Sequence, residues 1–309
     1  MISTVPSGIL VLDKPSGISS AQAIRNVKST LGVKKVGHAG TLDPMATGVL
    51  VCCINYATKL AGFYLEGHKS YEAVMVLGTE TDTQDATGTI IAQRKIDSSQ
   101  LSLERIRSNI NRFVGAIEQT PPVYSALKHE GLPLYKYARR GTPIQKPPKR
   151  IRIDRINLLN VDLPKIRFSV ICSAGTYVRT LCADIGRALG CGGHLETLRR
   201  TRSSDFTLKQ AVGLDELPDL VKSAKIMAKI IPLADLLHSI PAVSVTGAAA
   251  RKIRNGIILR TEHFDFLSGI PPAGFLRILS EEKDLVAIIR RRDSGDRFDY
   301  RCIIPAEPL

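Results

Sequence analysis

Residues 37–50, GHAGTLDPMATGVL, combine three glycines, a proline and a single carboxylate, Asp43, at the start of an apolar run. Glycine allows backbone angles and close approaches that a Cβ prevents, and Pro44 restricts its own φ and the conformation of Asp43. The run 48–54 is typical of a buried strand. A carboxylate on a rigid loop before a strand suits catalysis, but Asp-Pro pairs also start ordinary turns. On local chemistry alone, the turn is the favoured interpretation.

The chain carries a large excess of positive charge. Its 309 residues include 43 Lys and Arg against 29 Asp and Glu, which gives a formal net charge of +14 and a pI near 9.6. An excess of this size indicates a polyanionic partner, and we place nucleic acid ahead of an anionic membrane. Many cytosolic proteins are basic without such a partner, so charge alone leaves the partner open.

The sequence favours the cytoplasm. No apolar run is long enough to span a membrane, and residues 1–17 lack the pattern of a signal peptide. The six cysteines form no C-x-x-C pair, and the adjacent Cys52 and Cys53 are expected in the core. We therefore expect a reducing compartment, no zinc site and no other metal. The acidic residues of 79–88 do not match a calcium-binding loop and are expected to form a solvated turn.

Apolar patterning predicts two parts, 1–236 and 237–309. The first alternates strands with amphipathic helices, and the second is a compact all-β module with a basic helical patch at 248–255. The predicted strands of the first part are 8–12, 48–54, 69–78, 151–159 and 166–172; its predicted helices follow Ser19 or Ser20 and cover 57–65, 101–113 and 176–189. Three more strands are predicted between 276 and 304.

Several blocks of this sequence resemble motifs of one family. Residues 37–50 are similar to the central motif of the bacterial TruB-family tRNA pseudouridine(55) synthases. Further blocks similar to that family are KSYEAVMVLGTETDTQDATG (69–88), QTPPVYSA (119–126), CSAGTYVRTLCADIGRALG (172–190) and LETLRRTRSSDF (195–206). The resemblance implies an α+β fold with a central, mostly antiparallel mixed sheet flanked by helices. It also implies a small C-terminal β-barrel of the PUA type that binds RNA.

The resemblance also implies a reaction. The family isomerises the T-loop uridine at position 55 of tRNA to pseudouridine, and needs no cofactor or metal. Asp43 matches the catalytic nucleophile or base, and Arg179 is its natural ion-pair partner, because a nearby guanidinium favours an ionised carboxylate. The pair also explains an arginine in the first turn of a helix, where the macrodipole disfavours cations. Tyr71 would stack on the flipped uracil, although its strand position also fits a core tyrosine.

Three further residues match substrate-binding positions of the family. His38 would help to occupy the stack that the flipped base leaves, and Tyr177 and Leu198 would line the pocket. Taken singly, a histidine is more often structural, and Leu198 would pass as a core residue. Lys14, in the turn after the first strand, is interpreted as structural.

A basic segment near 124–150 is predicted to bind RNA. Prolines and tyrosines are interleaved with its basic residues, which suits a loop that binds a nucleic-acid backbone, although charge runs are often only solvated faces. The family has an insertion here that closes over the tRNA stem-loop. The expected backbone contacts are Lys136, Arg139, Arg140, Lys146, Lys149 and Arg150.

Other function classes remain open at this stage: a non-catalytic RNA-folding protein, an RNA-guided relative and a base glycosylase. The presence of Asp43, Tyr71 and Arg179 together favours the enzyme. We expect a monomer that acts on the tRNA T stem-loop, with no guide RNA and no membrane partner. Ala174 and the pair 204–205 depart from the family pattern, and this leaves the pocket electrostatics open.

Overall fold

A computed structural model describes residues 5–97, 99–260, 274–291 and 297–306. Its α-helices are α1 (Ser20–Leu31), α2 (Ala61–Leu65), α3 (Leu103–Asn111), α4 (Leu134–Arg139), α5 (Val178–Leu189), α6 (Leu217–Lys222) and α7 (Gly247–Arg254). Its strands are β1 (Gly8–Lys14), β2 (Val36–His38), β3 (Thr47–Ile54), β4 (Lys69–Leu77), β5 (Thr79–Thr81), β6 (Ile90–Gln93), β7 (Gly115–Gln119), β8 (Lys128–His129), β9 (Leu132–Pro133), β10 (Lys149–Asp162), β11 (Lys165–Cys172), β12 (Gly193–Ser203), β13 (Phe206–Thr207), β14 (Val212–Gly213), β15 (Ile230–Pro232), β16 (Ala242–Ser244), β17 (Leu259–Arg260), β18 (Phe275–Leu279), β19 (Leu285–Arg291) and β20 (Arg297–Ile303). Residues 261–273 and 292–296 of the predicted C-terminal part lie outside the described residues.

One large sheet organises residues 8–232. Its strand order is β14-β1-β3-β12-β4-β11-β10-β7, with β2, β13 and β15 paired at the sides. Within the described residues, the ladders β1–β14 and β3–β12 are parallel and the remaining ladders of this sheet are antiparallel. The predicted mixed, mostly antiparallel sheet with flanking helices is therefore confirmed.

The central strands β1 and β3 are buried on both faces, which explains their unbroken apolar sequences. One face of these two strands packs in a core with α1, α3 and α5, and the other face packs with α2 and with β18, β19 and β20. Because side chains alternate across a strand, Leu50 lies in the first core and Val51 in the second. Cys52 and Cys53 divide in the same way, and both are buried free thiols, as predicted.

The parallel contact between β3 and β12 depends on Gly48. Gly48 pairs with Arg200 and has φ +100°, a conformation that favours glycine. A Cβ at this position would lie 2.2 Å from the carbonyl oxygen of Arg200. The glycine therefore lets β12 approach the chain directly after the loop 39–46.

The two longest α-helices begin and end near their predicted boundaries. α1 starts at an N-cap, Ser19, which forms a capping box with Gln22, and it stops at Gly32 in the left-handed conformation. α5 stops in the same way at Gly190. Across the described ranges, no helix is both long and apolar enough to cross a bilayer.

The C-terminal residues form a separate sheet with the order β16-β18-β19-β20-β17 and a core cluster of its own. The three strands predicted between 276 and 304 are confirmed as β18, β19 and β20, and the basic helical patch is α7. Within the part of the chain that the structure describes, the outer strands β16 and β17 do not pair with each other.

Candidate active site

Asp43 lies in the loop 39–46, and the buried side chains of Ser20 and Lys14 form hydrogen bonds with the main chain of this loop. The N–H of Leu42 donates to Ser20 Oγ at 2.8 Å, and the Ser20 hydroxyl donates to the Leu42 carbonyl at 2.9 Å. Lys14 Nζ donates at 3.3 Å to the carbonyl of the residue after Asp43. Burial lowers the pKa of Lys14 to about 8, and the charge of Asp43 opposes that shift. Lys14 thus supports the loop, in keeping with its structural interpretation.

Arg200 is the third support of this loop, and the sequence reasoning missed it. It is 1% exposed, and its guanidinium donates to the carbonyls of Gly40, Thr41 and Val49 at 3.0, 3.3 and 2.7 Å. Burial lowers the pKa of His38, and the charge of Arg200 adds to this shift. One signal could have found Arg200: it lies two positions after Leu198 on a strand and must share its face.

Replacing Arg200 with methionine is expected to lower the free energy of unfolding by about 3 kcal/mol or more, because buried carbonyls lose their donors. The matched control is Arg199→Met on the same strand. Arg199 is 42% exposed and pairs with Asp13, so its loss should cost less than about 1 kcal/mol. Urea unfolding of both variants measures the difference, and equal losses would contradict the proposed support.

Arg179 and Asp43 form the predicted ion pair. Arg179 Nε lies 2.8 Å from Asp43 Oδ2, and Nη2 donates to Oδ1 at 3.4 Å. The guanidinium is held in place by the carbonyls of Thr83 and Tyr124, each at 2.9 Å. The Arg179 side chain is 4% exposed and that of Asp43 is 34% exposed. The cation is therefore buried behind a carboxylate that reaches open space.

A second carboxylate, Asp85, shares the same guanidinium. Asp85 Oδ2 lies 3.5 Å from Arg179 Nη1, and its side chain is 6% exposed. The prediction of a solvated acidic turn at 79–88 is wrong for this residue. Asp85 accepts hydrogen bonds from the hydroxyls of Thr83 and Thr87 and from the Thr87 N–H. These bonds and the arginine offset the cost of burying its charge.

The carboxylate of Asp43 opens into a cavity of about 300 Å³. Tyr71, Tyr177 and Leu198 line this cavity together with Asp43, whereas Arg179 and His38 are not among its lining residues. The remaining lining residues are Gly40, Thr41, Leu42, Leu65, Lys69, Ala126, Leu127, Ser173, Gly175, Thr176, Val178 and Arg200.

Two tyrosines line the cavity in different settings. Burial raises the pKa of Tyr71, which is 9% exposed, and the charge of Arg200 opposes that shift. Burial also raises the pKa of Tyr177, the residue before α5. Both phenols are therefore harder to ionise than an exposed tyrosine. His38 lies on β2, and its buried Nδ1 has no hydrogen-bond partner among the described residues.

The basic segment adjoins this cavity. Lys136, Arg139 and Arg140 are exposed on or just after α4, and Lys149 and Arg150 are exposed at the start of β10. Lys146 is half-buried, with Nζ 3.0 Å from His129 Nδ1. Lys149 Nζ lies beside Gly175, which lines the cavity. A Cβ on that glycine would be 3.0 Å from Lys149 Nζ. Among the described side chains, no group of three or more His, Cys, Asp or Glu is arranged to hold a metal ion.

Comparison with known proteins identifies the family. The model of the TruB family pseudouridylate synthase N-terminal domain matches residues 28–178, and that of the tRNA pseudouridylate synthase B C-terminal domain matches residues 179–240. The tRNA pseudouridine synthase B of Syntrophus aciditrophicus is 41% identical, over 94% of this chain and 93% of its own length. The chain belongs to the TruB family of pseudouridylate synthases.

A second relative and a solved structure are also similar to this chain. The tRNA pseudouridine synthase B of Bordetella avium is 50% identical over 68% of this chain and 86% of its own length. A crystal structure of a Cbf5-Nop10-Gar1 complex has 26% identity and a TM-score of 0.74, over 97% of this chain and 85% of that one. Pseudouridine synthases are isomerases, so the TruB chain described here is an enzyme of that class.

Proposed function

We propose that this chain isomerises the uridine at position 55 in the T-loop of tRNA to pseudouridine. The observation that carries the proposal is the Asp43 carboxylate, which opens into a cavity lined by two tyrosines while paired with a buried guanidinium. The tRNA pseudouridine synthases B that are similar over most of the chain support tRNA as the substrate. Mapping pseudouridine in an unmodified tRNA transcript after incubation with the protein tests the assignment.

The reaction breaks the bond between uracil N1 and ribose C1′ and forms a bond between C5 and C1′. The proton on C5 leaves, and N1 gains a proton, so the reaction is redox-neutral. Asp43 acts as the nucleophile or as the base that starts this exchange, and either role needs the ionised carboxylate. Arg179 keeps that charge in place because its guanidinium is fixed by two carbonyls as well as by Asp43.

The cavity suits a single flipped base. A uracil inside a folded loop is out of reach of a carboxylate that lies in a pocket, so it must leave its stack to enter that pocket. Tyr71 would stack on the uracil, and Tyr177 and Leu198 would form the walls, because all three side chains line the cavity with Asp43. His38, on the strand before the loop, would occupy the stack that the base leaves.

The two parts of the chain would have different roles in the reaction. Residues 1–236 form the catalytic domain, and residues 237–309 form an RNA-binding domain of the PUA-like barrel type. Support comes from the separate sheet and from α7, whose last turn carries Arg251, Lys252 and Arg254. The enzyme would act in the cytoplasm as a monomer on tRNA alone, without a guide RNA.

The basic segment would bind the RNA backbone through Lys136, Arg139, Arg140, Lys146, Lys149 and Arg150.

Changing Lys136, Arg139 and Arg140 to glutamine is expected to reduce the slope of log Kd against log salt by about two. Binding releases counterions from each phosphate that the protein contacts, so a variant with fewer phosphate contacts releases fewer counterions. A control with the same charge change carries glutamine at Lys222, Lys225 and Lys229, which are exposed outside this segment. Equal slopes for both triple variants would contradict the assignment.

A further inference from the structure

Gln119 is a buried amide at the end of β7, and it binds the main chain of a cavity residue. Its side-chain Oε1 accepts from the N–H of Tyr177 at 2.8 Å, and its Nε2 donates to the Tyr177 carbonyl at 3.1 Å. Gln119 is 2% exposed. One side chain thus pairs with both main-chain polar groups of Tyr177, and the Tyr177 carbonyl also accepts from the Leu181 N–H at 3.0 Å.

This contact fixes the start of α5. Tyr177 is the N-cap of the helix, and its own side chain makes no capping hydrogen bond to the first turn. Arg179 follows in the first turn, so a shift or rotation of the helix start would move its guanidinium. Gln119 is therefore the side chain that ties the N-terminus of α5 to the edge strand of the large sheet.

The same residue lies five positions before a second partner of Arg179. The chain runs from Gln119 through two prolines to Tyr124, whose carbonyl accepts from Arg179 Nη2 at 2.9 Å. The contacts form a closed ring from Gln119 to Tyr177, along the helix to Arg179, across to Tyr124 and back along the chain. Loosening the ring at Gln119 would remove one restraint on the helix start and one on the segment before Tyr124, whose hydroxyl also donates to Asp82 Oδ2 at 3.2 Å.

We propose that Gln119 is a positioning residue for the pair of Arg179 and Asp43. The inference rests on the proposed function, because the position of Arg179 matters only if Asp43 performs the chemistry. Only a primary amide meets the requirement at this site. A glutamate would accept from the N–H but would bury a charge against the Tyr177 carbonyl, and a leucine would leave the N–H unpaired.

The test compares Gln119→Leu and Gln119→Glu with the wild type in single-turnover reactions on a tRNA transcript. Each variant is expected to lower the rate constant at saturating tRNA by about 10-fold or more, while Kd for tRNA changes by less than about threefold. The matched control is Glu118→Gln, the reverse exchange at the exposed neighbouring position, which should leave both constants unchanged. Circular dichroism and thermal unfolding check the fold, and the glutamate variant retains the test if the leucine variant does not fold.

A double-mutant cycle separates positioning from a general structural role. If Gln119 acts through Arg179, either exchange should lower the rate by less than about threefold in an Arg179→Lys background, where the guanidinium is already lost. The same loss in both backgrounds would overturn the inference, and so would an unchanged rate in the single variants. A wild-type protein that binds tRNA without converting it would instead overturn the proposed function, so the two failures are distinguishable.

Discussion

Asp43→Asn is expected to lower the rate of pseudouridine formation by on the order of 10⁴-fold or more, because the amide can neither attack nor accept a proton. Binding of tRNA should change by less than about threefold, since the exchange preserves shape and removes one charge beside a large electropositive surface. Single-turnover conversion and filter binding of the same transcript measure the two quantities. The expected separation of rate from binding assigns Asp43 to the chemistry.

Asp13 provides a matched control for this exchange. Its side chain is 32% exposed against 34% for Asp43, and it also pairs with an arginine, with Asp13 Oδ2 2.6 Å from Arg199 Nη2. Asp13 does not line the cavity. Asp13→Asn should therefore leave the rate within about threefold of the wild type. If Asp43→Asn kept a rate similar to that of Asp13→Asn, the catalytic assignment of Asp43 would be wrong.

Arg179→Met is expected to lower both activity and stability. Activity should fall by about 10³-fold, because Asp43 loses the cation that pairs with it and orients it. The free energy of unfolding should fall by roughly 3 kcal/mol, because Asp85 is 6% exposed and loses its cation. Conversion assays and urea unfolding of the purified variant give both values.

The double variant Arg179→Met, Asp85→Asn separates these effects. Neutralising Asp85 removes the unpaired buried charge, so most of the lost unfolding free energy should return. Activity should stay low, because Asp43 still lacks its partner. A double variant that regained activity together with stability would show that Arg179 serves folding alone.

The features that sequence reasoning reached are those encoded locally. The helix ends at Gly32 and Gly190 follow from glycine conformations, and the two-faced burial of β3 follows from its unbroken apolar run. The pairing of Arg179 with Asp43 was instead implied by the family resemblance, because a catalytic carboxylate needs a nearby cation, and the two groups are adjacent in the structure.

The features that it missed depend on contacts between distant parts of the chain. Arg200 reaches Val49 across 151 positions, and this contact exists only because β12 pairs with both β3 and β4. Asp85 is buried because its turn folds inward on threonine hydroxyls, so its polar sequence gave the opposite expectation. The bond from Gln119 to Tyr177 joins an edge strand to a helix start, and no local pattern specifies it.

The most direct test of the proposed function uses an unmodified tRNA transcript tritiated at C5 of its uridines. The wild-type protein should release tritium from one uridine per tRNA, and a transcript with cytidine at position 55 should release none. Tight binding of tRNA without tritium release would contradict the account and leave an RNA-folding protein in its place. Release that persists from the cytidine transcript would retain the isomerase but move its target away from position 55.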